Sequence, residues 1–477
     1  MTTLIRSAAR DDAGRQVPQR RTVAVEDPAT GRIVARVPDA SPADCTTALG
    51  AVAAAAPGWR ATAPRRRADV LRRCAEALRA DEGLPSLITL ESGKPLAEAR
   101  DEVAFAADYL EWNACEATRL HGRVEPHPDG GCSFAISRRP VGPCLIVAPW
   151  NFPLAIPARG VAPALAAGCT AVLRASDRAP LSALALADAL AAAGLPPGCL
   201  EVVVTSRPDA TDPLLDDRRL RKLTFTGSPA VGAHLLARCA ARALRATAEL
   251  GGNAAFVVAD DADLDVAVTA AVEAKCRNGG QACTAANRFL VQRPLAHEFT
   301  VRLAKRMAAL RVGAGSDPAV LVGPMISAAA VRRLTDLVAD AVSRGARVVL
   351  PGGADAGPGH FFSPMVLAGV PDGARLAREE IFGPIAAIAA YDDDAEAVRR
   401  ANDCEQGLAA YVMSGDPLRA ARIANALEAG MVGVNRGRVS CAAAPFGGVK
   451  GSGFGRSGGR EGIDEYLDTV YRTTEGS

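Results

Sequence analysis

The hydrophobic positions in the first half of the chain alternate between short apolar runs and longer helical segments. The apolar runs are Cys144–Ala148, Thr170–Leu173, Leu200–Val204 and Lys222–Phe225. Helical patterns cover Pro153–Ala167 and Pro180–Ala193, and another begins at Pro229. Short apolar strands that alternate with helices predict a parallel sheet with helices on both faces. Trp150, Asn151 and Gly227 fall at the carboxyl ends of these strands, where such sheets bind their ligands.

A second alternation begins near Ala254 and continues beyond Gly430. Its predicted helices are Asp263–Asn278, His297–Leu310 and Ala328–Arg344. Because the pattern starts afresh, we predict a second α/β region. The pair Gly251-Gly252 stands between the two regions and is predicted to form a hinge, since glycine tolerates many backbone conformations.

Further elements are predicted outside the alternating regions. Residues 1–25 are polar and Arg-rich and are expected to be loosely held. The run Ser41-Pro42-Ala43-Asp44 places a capping residue, a first-turn proline and an early acid in succession, which predicts a helix start. More helices are predicted at Pro64–Ala80 and Leu96–Leu120, and alternating residues predict strands at Cys132–Arg139 and Glu465–Arg472.

Composition narrows the class of protein. A chain of 477 residues is too long for one core and indicates two or three domains. With 49% hydrophobic residues and a net charge of +2, it is expected to be globular, with neither nucleic acid nor an anionic membrane as partner. The 12 cysteines form no CxxC pair, so no metal site and no disulfide framework are predicted. Many lone thiols, the absence of an apolar secretion signal and the lack of a membrane-spanning tract favour the cytoplasm.

One cysteine stands in an unusual context. Cys283 follows the run Asn278-Gly279-Gly280, which allows a sharp turn and a close approach to a ligand. A thiol presented on such a turn is expected to have its thiolate form favoured by nearby peptide N–H groups. Taken alone, however, a free cysteine is more often a small buried hydrophobic residue.

Five motifs change that balance. They are PWNFP at 149–153, FTGSPAVG at 225–232, ELGGN at 249–253, EEIFGP at 379–384 and PFGGVKGSG at 445–453. In order and spacing the chain resembles the aldehyde dehydrogenase superfamily from about Asp27 to Tyr471. Within that superfamily, the resemblance is closest to succinate-semialdehyde dehydrogenases.

The resemblance implies a fold and an assembly. The expected fold class is α/β, with a Rossmann-like cofactor domain, an α/β catalytic domain and a small β oligomerisation hairpin. The cofactor domain is expected at residues 1–120 and 141–250, and the catalytic domain with Cys283 at 251–455. Segments 121–140 and 456–477 are expected to pair with a partner subunit in a homodimer or homotetramer. From the residues alone, a plain surface hairpin explains segment 132–139 as well.

The resemblance also assigns the catalytic chemistry. Oxidation of an aldehyde through a thiol needs a nucleophile, donors for the alkoxide, a hydride acceptor and a base for the hydrolytic water. Cys283 matches the nucleophile, Asn151 the oxyanion donor and Glu249 the general base. An N-cap role explains Asn151 equally well on residue type, and a buried structural ion pair is the alternative for Glu249. The apolar setting of Glu249 is expected to raise its pKa.

The cofactor implied is NAD or NADP. Gly227 and Gly232 open a helix after a strand, and a helix N-terminus offers N–H groups to a pyrophosphate. The residues that the resemblance assigns to the cofactor are Trp150, Arg174, Ser176, Asp177, Gly227, Ser228, Gly232, Leu250, Glu380 and Phe382. Asp177 accepts hydrogen bonds from ribose hydroxyls and repels a 2′-phosphate, which favours NAD. Arg174 and Arg178 are placed to bind a phosphate instead.

The substrate expected is a small aldehyde with a distal carboxylate. Arg159, Arg277 and Ser440 match the residues that bind that carboxylate in succinate-semialdehyde dehydrogenases, and two guanidinium groups favour an acid strongly. Structural ion pairs are the alternative, because this chain uses arginine widely and has lysine only at 94, 222, 275, 305 and 450. Cys276 departs from the usual phenylalanine, and Arg436 and Arg438 add charge beside Ser440. A general aldehyde dehydrogenase, or one for another ω-carboxy aldehyde, remains the alternative.

Two other classes are less well supported. Relatives that use coenzyme A or phosphate typically lack the hydrolytic glutamate, whereas Glu249 is present. A non-enzymatic binding protein on the same fold would tolerate the loss of Cys283 or Asn151, and neither is lost.

Overall fold

The computed structural model describes residues 21–475. Residues 1–20 of the predicted loose segment 1–25 lie outside that range, whereas residues 22–25 belong to a strand that buries Val23 and Val25, so the prediction was wrong for them. The helices are α1 (Pro42–Ala61), α2 (Pro64–Ala80), α3 (Leu84–Ser92), α4 (Leu96–Ala117), α5 (Ala155–Ala167), α6 (Leu181–Ala192), α7 (Asp212–Asp216), α8 (Pro229–Ala240), α9 (Leu264–Cys276), α10 (Arg293–Ala308), α11 (Ala328–Ser343), α12 (Arg375–Arg378), α13 (Asp394–Asn402), α14 (Pro417–Ala426) and α15 (Gly459–Asp464).

The strands fall into three larger sheets and three short pairs. They are β1 (Thr22–Asp27), β2 (Arg32–Pro38), β3 (Arg123–Pro126), β4 (Cys132–Pro140), β5 (Cys144–Val147), β6 (Ala171–Ala175), β7 (Leu200–Val204), β8 (Lys222–Thr226), β9 (Arg245–Glu249), β10 (Ala254–Val258), β11 (Ala286–Gln292), β12 (Arg347–Leu350), β13 (Gly353–Ala354), β14 (Phe362–Ser363), β15 (Met365–Ala368), β16 (Ile385–Tyr391), β17 (Gln406–Gly407), β18 (Ala409–Met413), β19 (Met431–Val434), β20 (Val449–Lys450), β21 (Gly453–Phe454) and β22 (Leu467–Glu475).

The first alternating region forms a six-stranded sheet in the order β21-β9-β8-β5-β6-β7. Strands β5 to β9 run parallel, as their continuous apolar sequences predict. The sixth strand of this sheet, β21 at Gly453–Phe454, lies at its edge and pairs antiparallel with β9. The predicted domain boundary at residue 455 assigned that pair to the other region, so the chain returns to the first sheet earlier than expected.

The second alternating region forms a seven-stranded sheet in the order β12-β15-β16-β11-β10-β18-β19. All its pairings are parallel except that between β12 and β15. Its core holds tilted aromatic rings, with Phe256 centred 5.1 Å from Phe289 and 5.7 Å from Tyr411. Burial of these large side chains stabilises the sheet on which the cysteine loop is mounted.

Segments far apart in sequence build the third sheet, in the order β22-β4-β3. The C-terminal strand begins at Leu467 rather than at Glu465 and pairs antiparallel with β4 along its whole length. Pairing of residues 467–475 with residues 132–140 explains why both segments alternate. The predicted pairing of this sheet with a partner subunit stays a prediction, as does the domain division at residue 251.

Several predicted boundaries were wrong for local reasons. Helix α10 begins at Arg293 with proline in its first turn, a position that tolerates proline, and not at His297. Helix α9 ends at Cys276 because Asn278 and the next two glycines adopt left-handed φ angles of 52°, 60° and 75°. Among residues 21–475 no helix is long and apolar enough to cross a membrane.

Candidate active site

A cleft of about 250 Å³ lies where the carboxyl ends of β5, β8 and β9 meet the loop before β11. Its walls bring together nine of the predicted residues: Trp150, Asn151, Gly227, Ser228, Glu249, Leu250, Cys283, Glu380 and Phe382. The others that line it are Pro149, Ile156, Thr226, Gly251, Leu408 and Phe446. Residues more than 200 positions apart in sequence therefore face one space.

The turn before Cys283 requires its glycines. A Cβ on Gly280 would lie 2.3 Å from the carbonyl oxygen of Gly383, well inside van der Waals contact. Gln281 fixes the loop from the other side, because its amide donates to the carbonyl of Pro324 and accepts from the N–H of Ile326. The cysteine is thus presented on a rigid turn.

Cys283 itself is half-buried at the floor of the cleft. Burial raises the pKa of its thiol to about 11, although the positive charges of Arg159 and Arg277 act in the opposite direction. The expectation that local N–H groups favour the thiolate was therefore wrong for the free protein. Burial of the thiol raises its pKa by more than the peptide N–H groups of the turn lower it, so the reacting thiol must pass its proton to a base.

Asn151 is held by the cysteine loop. Its side-chain N–H donates to the carbonyl of Gln281 at 3.0 Å, which leaves the second amide hydrogen for a ligand. The alternative that Asn151 caps a helix is wrong, since α5 begins at Ala155 with Leu154 as its N-cap residue.

A buried charge pair fixes the backbone of Asn151, and we had no expectation of it from the sequence. Lys94 and Glu102, both fully buried, form an ion pair. The Lys94 ammonium also donates to the Asn151 carbonyl at 3.0 Å, and Glu102 accepts from the backbone N–H groups of Leu154 and Ala155. The rarity of lysine in this arginine-rich chain was the available signal.

Glu249 is 2% exposed. Ser457 donates to one carboxyl oxygen at 3.4 Å, while the other oxygen has no partner. Burial raises its pKa to about 8, with Arg159 acting against that rise. Within residues 21–475 Glu249 forms no ion pair, which removes the structural alternative. A carboxyl group of this kind is half ionised near pH 8 and is suited to accept a proton.

Arg159 and Arg277 approach the cysteine from the side of α5 and α9. The Arg159 guanidinium lies 4.2 Å from the centre of the Phe446 ring and donates to Thr226 at 3.3 Å. Arg277 lies 5.4 Å from the ring of Phe152 and donates to Thr284 at 3.3 Å. In the described part of the chain neither arginine forms an ion pair with a carboxylate. Both lower the pKa of Cys283, so both charges act at the reacting centre.

Ser440 is half-buried on the loop after β19. The structure records no hydrogen bond of its side chain among the described residues. The same loop carries Arg438, whose guanidinium lies 5.8 Å from the Phe105 ring on α4. Gly437 holds the loop against α9, because a Cβ there would lie 2.2 Å from the carbonyl oxygen of Ala270.

The opposite side of the cleft fits a dinucleotide. Gly227 and Ser228 immediately precede α8, and the N-terminus of a helix offers free backbone N–H groups to a phosphate. Glu380 accepts from the Gly252 N–H at 3.2 Å, and burial raises its pKa to about 7. Phe382 meets Trp150 edge to face, 5.6 Å between ring centres.

The glycines around this wall are needed for close approach. A Cβ on Gly232 would lie 2.4 Å from the Leu250 side chain, and one on Gly251 would lie 2.5 Å from a carboxyl oxygen of Glu380. Tight packing therefore explains Gly251 without a hinge, and the predicted hinge motion stays a prediction.

The residues expected at the adenine ribose lie apart from the cleft wall. Arg174 is bonded to its own protein: it donates to the carbonyls of Arg207 and Pro208 and to Thr211 at 2.9–3.0 Å. These bonds oppose the expectation that it binds a phosphate. Ser176 accepts from the Arg178 N–H, and Asp177 is half-buried beside Arg174.

Comparison with known proteins identifies the family. The aldehyde dehydrogenase family matches residues 16–471, and the chain belongs to it. The predicted α/β fold class is confirmed, and the protein is an oxidoreductase that acts on small aldehydes with NAD(P).

Individual members of the family are similar to this chain over nearly its whole length. The chain is 49% identical over 441 residues to a succinate-semialdehyde dehydrogenase of Paenarthrobacter nicotinovorans, covering 92% of this chain and 98% of that one. It is 42% identical over 448 residues to an Escherichia coli K12 enzyme named succinate-semialdehyde dehydrogenase for NADP(+), covering 94% and 93%. A solved succinate-semialdehyde dehydrogenase from Burkholderia pseudomallei matches with a TM-score of 0.94 at 44% identity, covering 96% and 95%. The NADP(+) name gives no support to the preference for NAD expected from Asp177.

Proposed function

We propose that this protein oxidises succinate semialdehyde to succinate with NAD(P) as hydride acceptor. The observation that carries the proposal is Arg159, which is 5% exposed and pairs with no carboxylate among residues 21–475. Burying an unpaired guanidinium is costly. A carboxylate on the substrate would supply the missing partner. Relatives of this chain are named for succinate semialdehyde, an aldehyde that carries such a carboxylate.

The first half of the reaction uses Cys283 and Asn151. The thiol sulfur adds to the aldehyde carbon, the π electrons of the carbonyl move onto its oxygen to form an alkoxide, and the thiol proton passes to a water molecule that enters the cleft. The free amide hydrogen of Asn151 donates to that oxygen, and one such donor contributes about 3 kcal/mol of transition-state stabilisation. Arg159 and Arg277 hold the far carboxylate and orient the chain of the substrate.

When bound, NAD(P) supplies the acceptor for the aldehyde hydride. The residues that would hold it are Gly227 and Ser228 at the pyrophosphate, Glu380 at the nicotinamide ribose, and Phe382 beside the ring. The choice between NAD and NADP is set at Asp177, with Arg178 as its exposed cationic neighbour.

The second half of the reaction uses Glu249. Its ionised carboxylate takes a proton from a water that attacks the thioester carbon. The carbon–sulfur bond then breaks, the acid leaves, and Cys283 is recovered. Because burial of Glu249 favours the neutral form, this step is expected to be faster at mildly alkaline pH.

An aldehyde panel with each cofactor tests the proposal. Succinate semialdehyde is compared with butanal, which has the same number of carbons without the acid, by following reduced nicotinamide. Two charge-assisted bonds predict a preference of about 10²–10⁴-fold in kcat/KM. Equal efficiency on both aldehydes would reduce the assignment to a general aldehyde dehydrogenase, and a larger rate on a longer ω-carboxy aldehyde would move it to the alternative substrate.

A further inference from the structure

Helix α4 carries two buried donors that have no acceptor. The Tyr109 hydroxyl and the Trp112 indole N–H are both buried and donate to no acceptor in the described structure, and Tyr109 is 0% exposed. The Arg159 guanidinium approaches the phenol oxygen, but a guanidinium can only donate, so the hydroxyl hydrogen is left without an acceptor. Residues three apart lie on one face of a helix. Leaving a buried hydroxyl unpaired costs about 1–3 kcal/mol, so an orphan donor of this kind calls for a ligand.

Tyr109 lies close to the charged residues of the candidate site. The charges of Arg159, Glu249 and Cys441 all influence the pKa of its phenol. Burial has the largest influence, and Arg159 has the next largest. Its ring packs 4.8 Å from Phe105 between ring centres, and Phe105 in turn lies under Arg438. The hydroxyl therefore lies beside the Arg159 guanidinium, which pairs with no carboxylate among the described residues.

We propose that the Tyr109 hydroxyl is a further donor to the distal acid group of the substrate, beside Arg159. Tyr109 is thus a specificity-determining residue, and this inference rests on the proposed function. The orphan state belongs to the free enzyme and ends when the substrate carboxylate arrives. Burial raises the pKa of the phenol to about 12, so it keeps its proton and can donate throughout the working pH range.

The test is Tyr109→Phe, which removes one oxygen and keeps the ring. Since the hydroxyl donates to no acceptor in the free enzyme, the variant is expected to unfold at nearly the same Tm as the wild type. Its KM for succinate semialdehyde is expected to rise about 10- to 100-fold with little change in kcat, while its kinetics on butanal stay unchanged. Protection by succinate, measured as the rise in Tm on adding the product, is expected to shrink.

Tyr391→Phe is the matched control. Tyr391 is also fully buried, but its hydroxyl donates to the carbonyl of Val258 at 3.0 Å on the second sheet. That variant is expected to lose Tm and to keep its KM for both aldehydes. The two substitutions remove the same atom, so opposite effects on stability and affinity separate a ligand-binding hydroxyl from a structural one.

The outcomes are distinct for the two proposals. If the wild type prefers succinate semialdehyde and Tyr109→Phe keeps both that preference and its succinate protection, the hydroxyl serves only a buried water and the inference is overturned. A loss of Tm in Tyr109→Phe with equal losses on both aldehydes would also overturn it. If the wild type shows no preference for the acid, the proposed substrate fails, and Tyr109 fails with it.

Discussion

Replacement of Glu249 by glutamine separates the two halves of the reaction. The pKa of Glu249 is raised from 4.5 to about 8, so the folded protein favours the neutral carboxyl by about 5 kcal/mol, at 1.36 kcal/mol per pKa unit. Glutamine resembles the neutral acid in shape but accepts no proton from water. We expect Glu249→Gln to form the thioester normally and to hydrolyse it about 10²–10⁴-fold more slowly.

The assay is a rapid-mixing trace of reduced cofactor. The variant is expected to give a burst of one equivalent per active site, followed by near-arrest. In the wild type, the steady-state rate is expected to fall about fivefold from pH 8 to pH 7 and about tenfold from pH 7 to pH 6, as the ionised fraction of Glu249 falls. Loss of the burst would show that Glu249 acts before hydride transfer, and undiminished turnover would refute its role as base.

The same substitution tests the burial of Glu249 through stability. Between pH 4.5 and pH 8 the folded carboxyl keeps a proton that the unfolded chain has released. Wild-type stability therefore declines as pH rises through this window, and it is regained as pH falls. Glu249→Gln does not titrate, so its Tm is expected to exceed that of the wild type by more at pH 8 than at pH 5. A constant difference in Tm would mean that the pKa of Glu249 is not raised.

Two further substitutions probe the cofactor and the frame of the oxyanion donor. Asp177→Ser is expected to improve the kcat/KM for NADP relative to NAD about fivefold by removing a like charge, and an unchanged ratio would give the choice to Arg178. Lys94→Met is expected to cost about 3–5 kcal/mol in unfolding free energy because it leaves Glu102 buried and unpaired. The double variant Lys94→Met/Glu102→Gln recovers part of that loss in thermal unfolding; no recovery would mean that Lys94 stabilises by packing alone.

Helices whose ends are marked by distinctive residues could be predicted from the local sequence. Helix α2 spans Pro64–Ala80 as predicted, because a first-turn proline and an apolar stripe mark it clearly. Helix α3 at Leu84–Ser92 was missed, because it has only nine residues and is buried by tertiary contacts. Two signals were available: Pro85 stands in its first turn, and Gly93 ends it with a φ of 79°. A Cβ on Gly93 would lie 2.6 Å from Pro324.

The chemical properties of the site were harder to predict than the residues that form it. Motif positions located Cys283, Glu249 and Asn151 in one cleft. The pKa of Cys283, however, depends on burial and on charges from Arg159 and Glu380, which lie about a hundred residues away along the chain. Lys94 reaches Asn151 across 57 positions. Contacts of that kind arise only from the tertiary fold, so local composition could not reveal them.

The most direct test of the account is the effect of Arg277→Leu on substrate preference. If Arg277 and Arg159 bind the distal carboxylate, the variant loses most of the preference for succinate semialdehyde over butanal. Its activity on butanal is expected to fall by less, because only the effect of the Arg277 charge on the Cys283 thiol is lost. Arg302→Leu is the control, because Arg302 is an exposed arginine paired with Asp265 and Glu298, and it is expected to change neither value. The ratio of kcat/KM for the two aldehydes is the quantity to measure. Equal losses on both aldehydes in Arg277→Leu would contradict the account and make Arg277 a structural support of the turn before Cys283.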